Sequence, residues 1–386
     1  MRILTVGLGG AGTHIADRLL DHDRIAGAHC VDAVAVDCDA ENLASLRAVP
    51  ADCRLFFSPL DPEDQGSLTE HVPREEVLAH LQALDDGDID ALFVCCGLGG
   101  TLAHAVPGLV TFLKESLGEP VFAICTLPRR EEGAERLARA VDQLEGILPA
   151  TDGVIVFDNE AWKGRLPLQE QRGGKDTPSL PLPGKLVEKV LPRGEETPVD
   201  PFYEGIDSLI ARRVTLLLRA GEWSTRDPEE IPDLVLDAGE ILNTIQGAGL
   251  ATLGYAREEL PPARPLDHVL RFGPHTRSVK ECHVKASRIV ELAKRAVYDE
   301  ISASTDLSRV KKGLLLIAGP RHEMSMKGFM TVRRWLDRSI PDLELRSGDY
   351  PVRDTRYIGV LVLLAGMDTL PRIEEMRRER EGNPGP

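Results

Sequence analysis

The chain has 386 residues and a formal charge of −16, from 62 Asp and Glu against 46 Lys and Arg, a balance that argues against a nucleic-acid backbone as partner. Apolar residues make up 42% of it, but no apolar run approaches ~18 residues, so no segment is expected to span a membrane. Seven cysteines (30, 38, 53, 95, 96, 125 and 282) form no C-x-x-C pair and mostly fall in or beside predicted buried strands, which reads as reduced core thiols rather than a disulfide or zinc framework.

The opening MRILTVG enters a strand at once, with no basic leader, so no signal peptide is expected; the reduced thiols place the protein in the cytoplasm. Arginine outnumbers lysine 35 to 11, a skew that salt adaptation and GC-rich coding would both produce.

The first 160 residues alternate strands and helices. Strands are predicted at Arg2–Val6, Ala33–Asp37, Arg54–Phe57, Ala91–Cys96, Val121–Thr126 and Val154–Asp158. Most are continuous apolar runs ended by Gly, Pro, Asp or Asn, as in a parallel sheet covered on both faces. Between them, Leu137, Ala138, Val141, Leu144 and Ile147 mark the apolar stripe of a helix over Glu131–Ile147. These units predict a doubly wound α/β domain over 1–162, with its ligand at the carboxyl ends of the strands.

Residues 163–200, rich in Pro, Gly and charge, read as an insertion or surface loop. A long helix is predicted over 201–221, where Ile206, Leu209, Ile210, Val214, Leu217 and Leu218 share a face. A smaller α+β domain follows over 222–376. Its helices are expected near 237–246, 279–303 and 324–338, and its strands near Lys312–Ala318, Leu343–Arg346 and Tyr357–Ala365. Residues 377–386 read as a polar tail.

Two glycine loops stand out. GLGGAGTH follows the first strand and supplies Gly9, Gly10 and Gly12, then Thr13 and His14. GLGGT follows the fourth and supplies Gly97, Gly99, Gly100 and Thr101. Glycines allow a tight turn and a close approach to phosphate, and the helix that follows offers free N–H groups and positive dipole. The first loop, with Asp37 ending the second strand, also fits a dinucleotide fold, so a nicotinamide-dependent oxidoreductase is one reading. The second loop favours a nucleotide whose phosphates lie across several strand ends. A tight strand-to-helix turn without ligand is the plain alternative.

In their order, these loops resemble the tubulin/FtsZ superfamily of GTP-binding filament proteins. CTLPRREEGAER matches the family's T-x-P-x-x-x-E-G-x-x-x-R pattern at Thr126, Pro128, Glu132, Gly133 and Arg136. VIVFDNEAW resembles the strand ending in Pro-Asn-Asp/Glu, with Asn159 and Glu160 in place. The segments Gly249–Ala256 and Gly313–Phe329 look like second-domain strands. The 163–200 insertion and the stretch from Asp354 to Glu375 are similar to the archaeal CetZ-type branch.

The resemblance implies GTP or GDP as ligand, Mg²⁺ with it, and a head-to-tail homopolymer acting in cell shape, with an unidentified membrane anchor or regulator as a further partner. It implies a long central helix between the two domains. It assigns Asp207 to the base, Glu132 and Asn159 to the ribose, Arg136 to phosphate charge and His14 to the place of a family Asn. Asp237 and Glu240 in DLVLDAGE would form the acidic loop that one subunit inserts against its neighbour's nucleotide to orient the attacking water. Acids at a helix start also serve the dipole, which is their ordinary structural role.

Three departures point to slow hydrolysis or to a non-polymerising regulator that binds nucleotide without turnover. Val235 replaces an Asn, Ser58–Val72 carries acids in place of a glycine-rich loop, and GLGGTLAHAVP lacks the family's closing Gly-Ser/Thr-Gly.

Overall fold

The computed structural model describes residues 1–58, 71–166, 200–221, 231–261, 279–353 and 355–382. Most of the predicted insertion (167–199) and most of the acidic Ser58–Val72 segment (59–70) lie outside these residues.

Ten strands join one sheet in the order β3-β2-β1-β4-β5-β6-β7-β10-β8-β9. The first six are β1 (Ile3–Leu8), β2 (Val31–Asp37), β3 (Arg54–Phe56), β4 (Ala91–Gly97), β5 (Val121–Leu127) and β6 (Gly153–Asp158). All six run parallel. Their near-continuous apolar sequences are explained by burial on both faces: every residue of β1, β5 and β6 is buried.

The remaining strands are β7 (Leu250–Glu259), β8 (Lys312–Gly319), β9 (Glu344–Pro351) and β10 (Tyr357–Met367). β10 lies antiparallel between β7 and β8, while β9 runs parallel to β8. The second unit does not form a sheet of its own. It continues the first through a seam of two parallel register pairs, Val154↔Leu250 and Ile155↔Ala251.

Helices cover both faces. One face carries α1 (Gly9–Ala26), α2 (Ala40–Ser45), α6 (Pro201–Ala220) and α7 (Ala238–Ile245); the other carries α3 (Arg74–Leu84), α4 (Val106–Leu117), α5 (Ala134–Ala150), α8 (Val279–Tyr298), α9 (Met326–Ser339) and α10 (Pro371–Gly382). Each layer closes its own apolar core against the sheet. Leu19, Ile210 and Leu217 are buried in one core, and Val110, Leu144 and Leu336 in the other. Each such side chain contributes about 1.5–3 kcal/mol when fully buried.

The predicted central helix is α6. Asp200 caps it by accepting the Phe202 N–H at 2.9 Å, and Pro201 takes the first turn, where no donor is lost. Several boundaries differ from the sequence reading: the helix expected over Glu131–Ile147 is α5 at Ala134–Ala150, and the strand expected at Leu343–Arg346 runs on to Pro351 as β9. α8 ends at Tyr298, short of 303. α10 continues through 377–382, part of the expected polar tail. There Arg377 and Arg380 pair with Glu145 and Asp142 of α5, so the charged sequence is a docked helix face.

Candidate functional site

The strand order explains the paired glycine loops. β1 and β4, ninety residues apart in sequence, are neighbours in register, Gly7 opposite Cys95 and Leu8 opposite Cys96. From β1 the chain moves outward to β2 and β3, then crosses back to β4 and proceeds the other way. A crevice opens where the order reverses, at the carboxyl ends of the strands. Both loops therefore rim one cleft of about 370 Å³, within the range of small-molecule sites.

Ten of the candidate residues line it: Gly9, His14, Asp37, Gly97, Gly100, Thr101, Glu132, Arg136, Asn159 and Asp207. Gly10, Gly12, Thr13 and Gly99 do not, and for three of them the geometry gives a structural reason. Gly12 is the contact between α1 and the sheet, since a Cβ there would lie 2.1 Å from the Cys95 carbonyl oxygen. Thr13 is fully buried, donating to the Gly10 carbonyl and accepting from Asn42 at 2.9 Å. Gly99 has φ +84°, and a Cβ would meet the Arg136 Cγ at 2.5 Å and its carbonyl oxygen at 2.7 Å.

The second loop is held from behind. Gln143 of α5 accepts the Gly99 N–H and donates to the Gly100 carbonyl, both at 2.6 Å. The Gly99 N–H is thus committed to the protein. The turn at Leu102–Ala105 precedes α4, and Pro107 occupies the first turn of that helix. The α-helix itself starts at Val106. Leu102 and Ala103 line the cleft and bring no side-chain donor to it.

Electrostatics separate the acids. Asp207, on the first half of α6, is buried, and burial pushes its carboxyl up to about 8 against the pull of Arg18. Asp37 is also raised by burial, but both its oxygens are engaged: Oδ1 accepts the Cys38 and Asp39 N–H groups and Oδ2 accepts from Asn42 at 2.7 Å. Glu132 is pinned as well, accepting from the Arg129 N–H at 2.7 Å and from Arg136 at 2.8 Å. Asn159 differs. It is 5% exposed, and its amide oxygen is buried with no hydrogen-bond partner among the described residues. An orphaned acceptor beside a cleft is costly unless a ligand supplies the donor.

Tyr203 and Ile206 also line the cleft. The Tyr203 hydroxyl donates to Glu132 at 3.3 Å. Its place one helical turn before Asp207 was the available signal, because i and i+4 share a face.

Asp237 and Glu240 do not line this cleft. Asp237 is the N-cap of α7, its Oδ1 accepting the Glu240 N–H at 2.6 Å. Ile231 and Val235, on the segment leading to them, are 38% and 51% exposed. Within one chain, then, the cleft and the acidic pair are separate features.

Comparison with known proteins covers nearly the whole chain. Residues 2–166 match the tubulin/FtsZ family GTPase domain, and residues 196–381 match the tubulin-like CetZ C-terminal domain. The tubulin-like protein CetZ3 of Haloferax volcanii is 29% identical over 388 residues, covering 98% of this chain and 91% of that protein. In structure the chain resembles the GDP-bound CetZ1 monomer from Haloferax volcanii, with TM-score 0.73, 24% identity and all of both chains covered. It is equally similar to the GTPγS-bound CetZ2 protofilament from the same organism, with TM-score 0.73, 26% identity, and 99% and 98% covered.

Proposed function

Since this chain belongs to the tubulin/FtsZ superfamily as a CetZ-type member, we propose that it binds a guanine nucleotide in the β1/β4 cleft and assembles head to tail. The observation that carries the reading is the convergence, at one reversal of strand order, of two glycine loops with the orphaned Asn159 acceptor and the buried Asp207 carboxyl. An ionised Asp207 offers two acceptors to guanine's N1–H and N2–H, and Asn159 accepts a ribose hydroxyl. Gly9, Gly97, Gly100 and Thr101 face the phosphates, with Arg136 offsetting charge. The relatives support the ligand and the assembly, since CetZ1 is a GDP-bound monomer and CetZ2 a GTPγS-bound protofilament.

Hydrolysis is completed by a neighbouring subunit that brings its α7 end to the nucleotide. Asp237 is committed as a cap, so the pair divides its work. Asp237 holds the first turn, and the Glu240 carboxylate orients and polarises the attacking water. Exposed Ile231 and Val235 supply apolar area for that junction. Mg²⁺ would travel with the phosphates: among the described residues no group of three or more His, Cys, Asp or Glu side chains is arranged to hold a metal ion. With the Gly99 N–H tied to Gln143 and Leu102 at the cleft wall, the loop binds phosphate with fewer donors, and turnover is slow. The role is in cell shape, in the cytoplasm; no helix among the described residues is long and apolar enough to cross a membrane.

Chromatography of the nucleotide released from protein purified without additives tests the ligand. GDP or GTP supports the reading, and NAD overturns it. Right-angle light scattering with GTP and Mg²⁺ tests assembly; a flat trace at every salt concentration would leave a nucleotide-binding regulator that does not polymerise.

A further inference from the structure

A second cleft, of about 460 Å³, lies where α6, β7, the segment after β6 and the end of α8 meet, and shares no lining residue with the first. Five arginines line it: Arg165, Arg212, Arg213, Arg257 and Arg295. Two carboxylates oppose them, Asp299 and Glu300, so the lining carries three net positive charges in a chain whose total is −16.

Two of the five guanidiniums, those of Arg165 and Arg257, have no carboxylate partner among the described residues. Glu300 is bound to Arg295 at 2.6 Å. Arg165 reaches only the backbone carbonyl of Asp299, at 3.4 Å, and Arg257 lies 4.8 Å over the ring of Tyr357. Among the described residues neither enters a salt bridge. Arg213 is 3% exposed and stacks 4.8 Å over the Trp162 ring, which fixes its guanidinium plane. Nearby, His22 is pushed down to about 4, first by burial and then by Arg212, Arg219 and Arg18. Trp162 is 5% exposed, and its buried indole N–H has no hydrogen-bond partner among the described residues. Like charges gathered this closely repel one another, and an anion between them removes that cost.

The geometry points to a second ligand site, in which this arginine cleft binds a small phosphate-bearing anion independently of the β1/β4 cleft. The lining holds arginine and no lysine, and planar guanidinium forks match phosphate oxygens two at a time. The volume suits a small molecule rather than an extended chain. A diphosphate concentrates charge of the required size in a head group that the cleft can surround.

The test is calorimetric titration of the full chain with inorganic pyrophosphate. It is run on a Thr101→Asp background, where a carboxylate at the rim of the first cleft repels phosphate there. One saturable site is expected on that background. Arg165→Gln and Arg257→Gln, each added to it, should weaken this site about tenfold, the loss of one charge-assisted contact. Arg165 is exposed, so its replacement leaves the fold intact. Absence of saturable binding on the Thr101→Asp background, or affinity unchanged by both arginine replacements, overturns the assignment. So does citrate binding as tightly as pyrophosphate.

Discussion

On the proposed reading, in which Asp207 receives guanine, binding of the base is a proton-linked reaction. Its carboxyl, raised to about 8 chiefly by burial, is mostly protonated in the free protein at neutral pH. A neutral carboxyl offers one acceptor and one donor, whereas guanine's N1–H and N2–H need two acceptors. The base should therefore be bound by the ionised form, with release of a proton on binding. For a group titrating near 8, the ionised fraction grows from about 3% at pH ~6.5 to about 50% at pH ~8, so GDP affinity should rise roughly fifteenfold over that interval.

The sign for stability runs the other way. Below about 3.8 the folded and unfolded chains both hold the proton. As pH rises toward about 8 the unfolded chain has lost it while the folded chain retains it, so this group's contribution to stability falls across that window. Isothermal calorimetry at two pH values, each in two buffers of different ionisation enthalpy, measures both affinity and proton release. Asp207→Asn should bind GDP more weakly and lose the slope. An affinity that is flat with pH, or a slope that persists in Asp207→Asn, would refute the argument.

Further outcomes follow from the same geometry. Gly99→Ala meets the Arg136 backbone at a left-handed φ, and should cost about 1–3 kcal/mol in thermal denaturation. Asn159→Ala should lower GDP affinity severalfold while leaving the unliganded melting temperature nearly unchanged, since the lost oxygen has no partner among the described residues to abandon. Asp237→Ala should lose about 1 kcal/mol of stability with its cap, as read by urea denaturation, and turnover with it. Asp237→Asn keeps the cap and the stability. Glu240→Gln should leave stability alone and abolish assembly-dependent phosphate release.

Much of the cleft was legible because its ingredients are local. A glycine run between an apolar strand and a helix predicts a phosphate turn, and both turns lie where the sequence put them. What could not be read was adjacency. Nothing near Gly97 says that its strand lies beside β1, because strand order is set by crossovers far along the chain. That unreadable step decides which glycines face the cleft. Gly12 and Gly99 look like ligand residues in sequence but are needed where backbone meets backbone or helix. Gln143 gave no signal at all, lying inside an amphipathic helix as an ordinary polar residue. The Arg and Glu run after Met376 looked solvated because its partners, Asp142 and Glu145, are more than two hundred residues away.

The seam between β6 and β7 has a mechanical meaning. Eight of the nine strand junctions in the sheet hold three or more register pairs, and this one holds two. A tensile load applied to the ends of the molecule, as a subunit of the filament proposed above would feel under bending, would fall on the shortest ladder it must cross. Val154, Ile155, Leu250 and Ala251 are thus the shortest ladder in the sheet, and Ser302 reinforces it by donating to the Val156 carbonyl at 2.6 Å and accepting the Leu253 N–H at 2.9 Å. Hydrogen exchange of the amides along that line would measure whether the seam opens before the rest of the sheet.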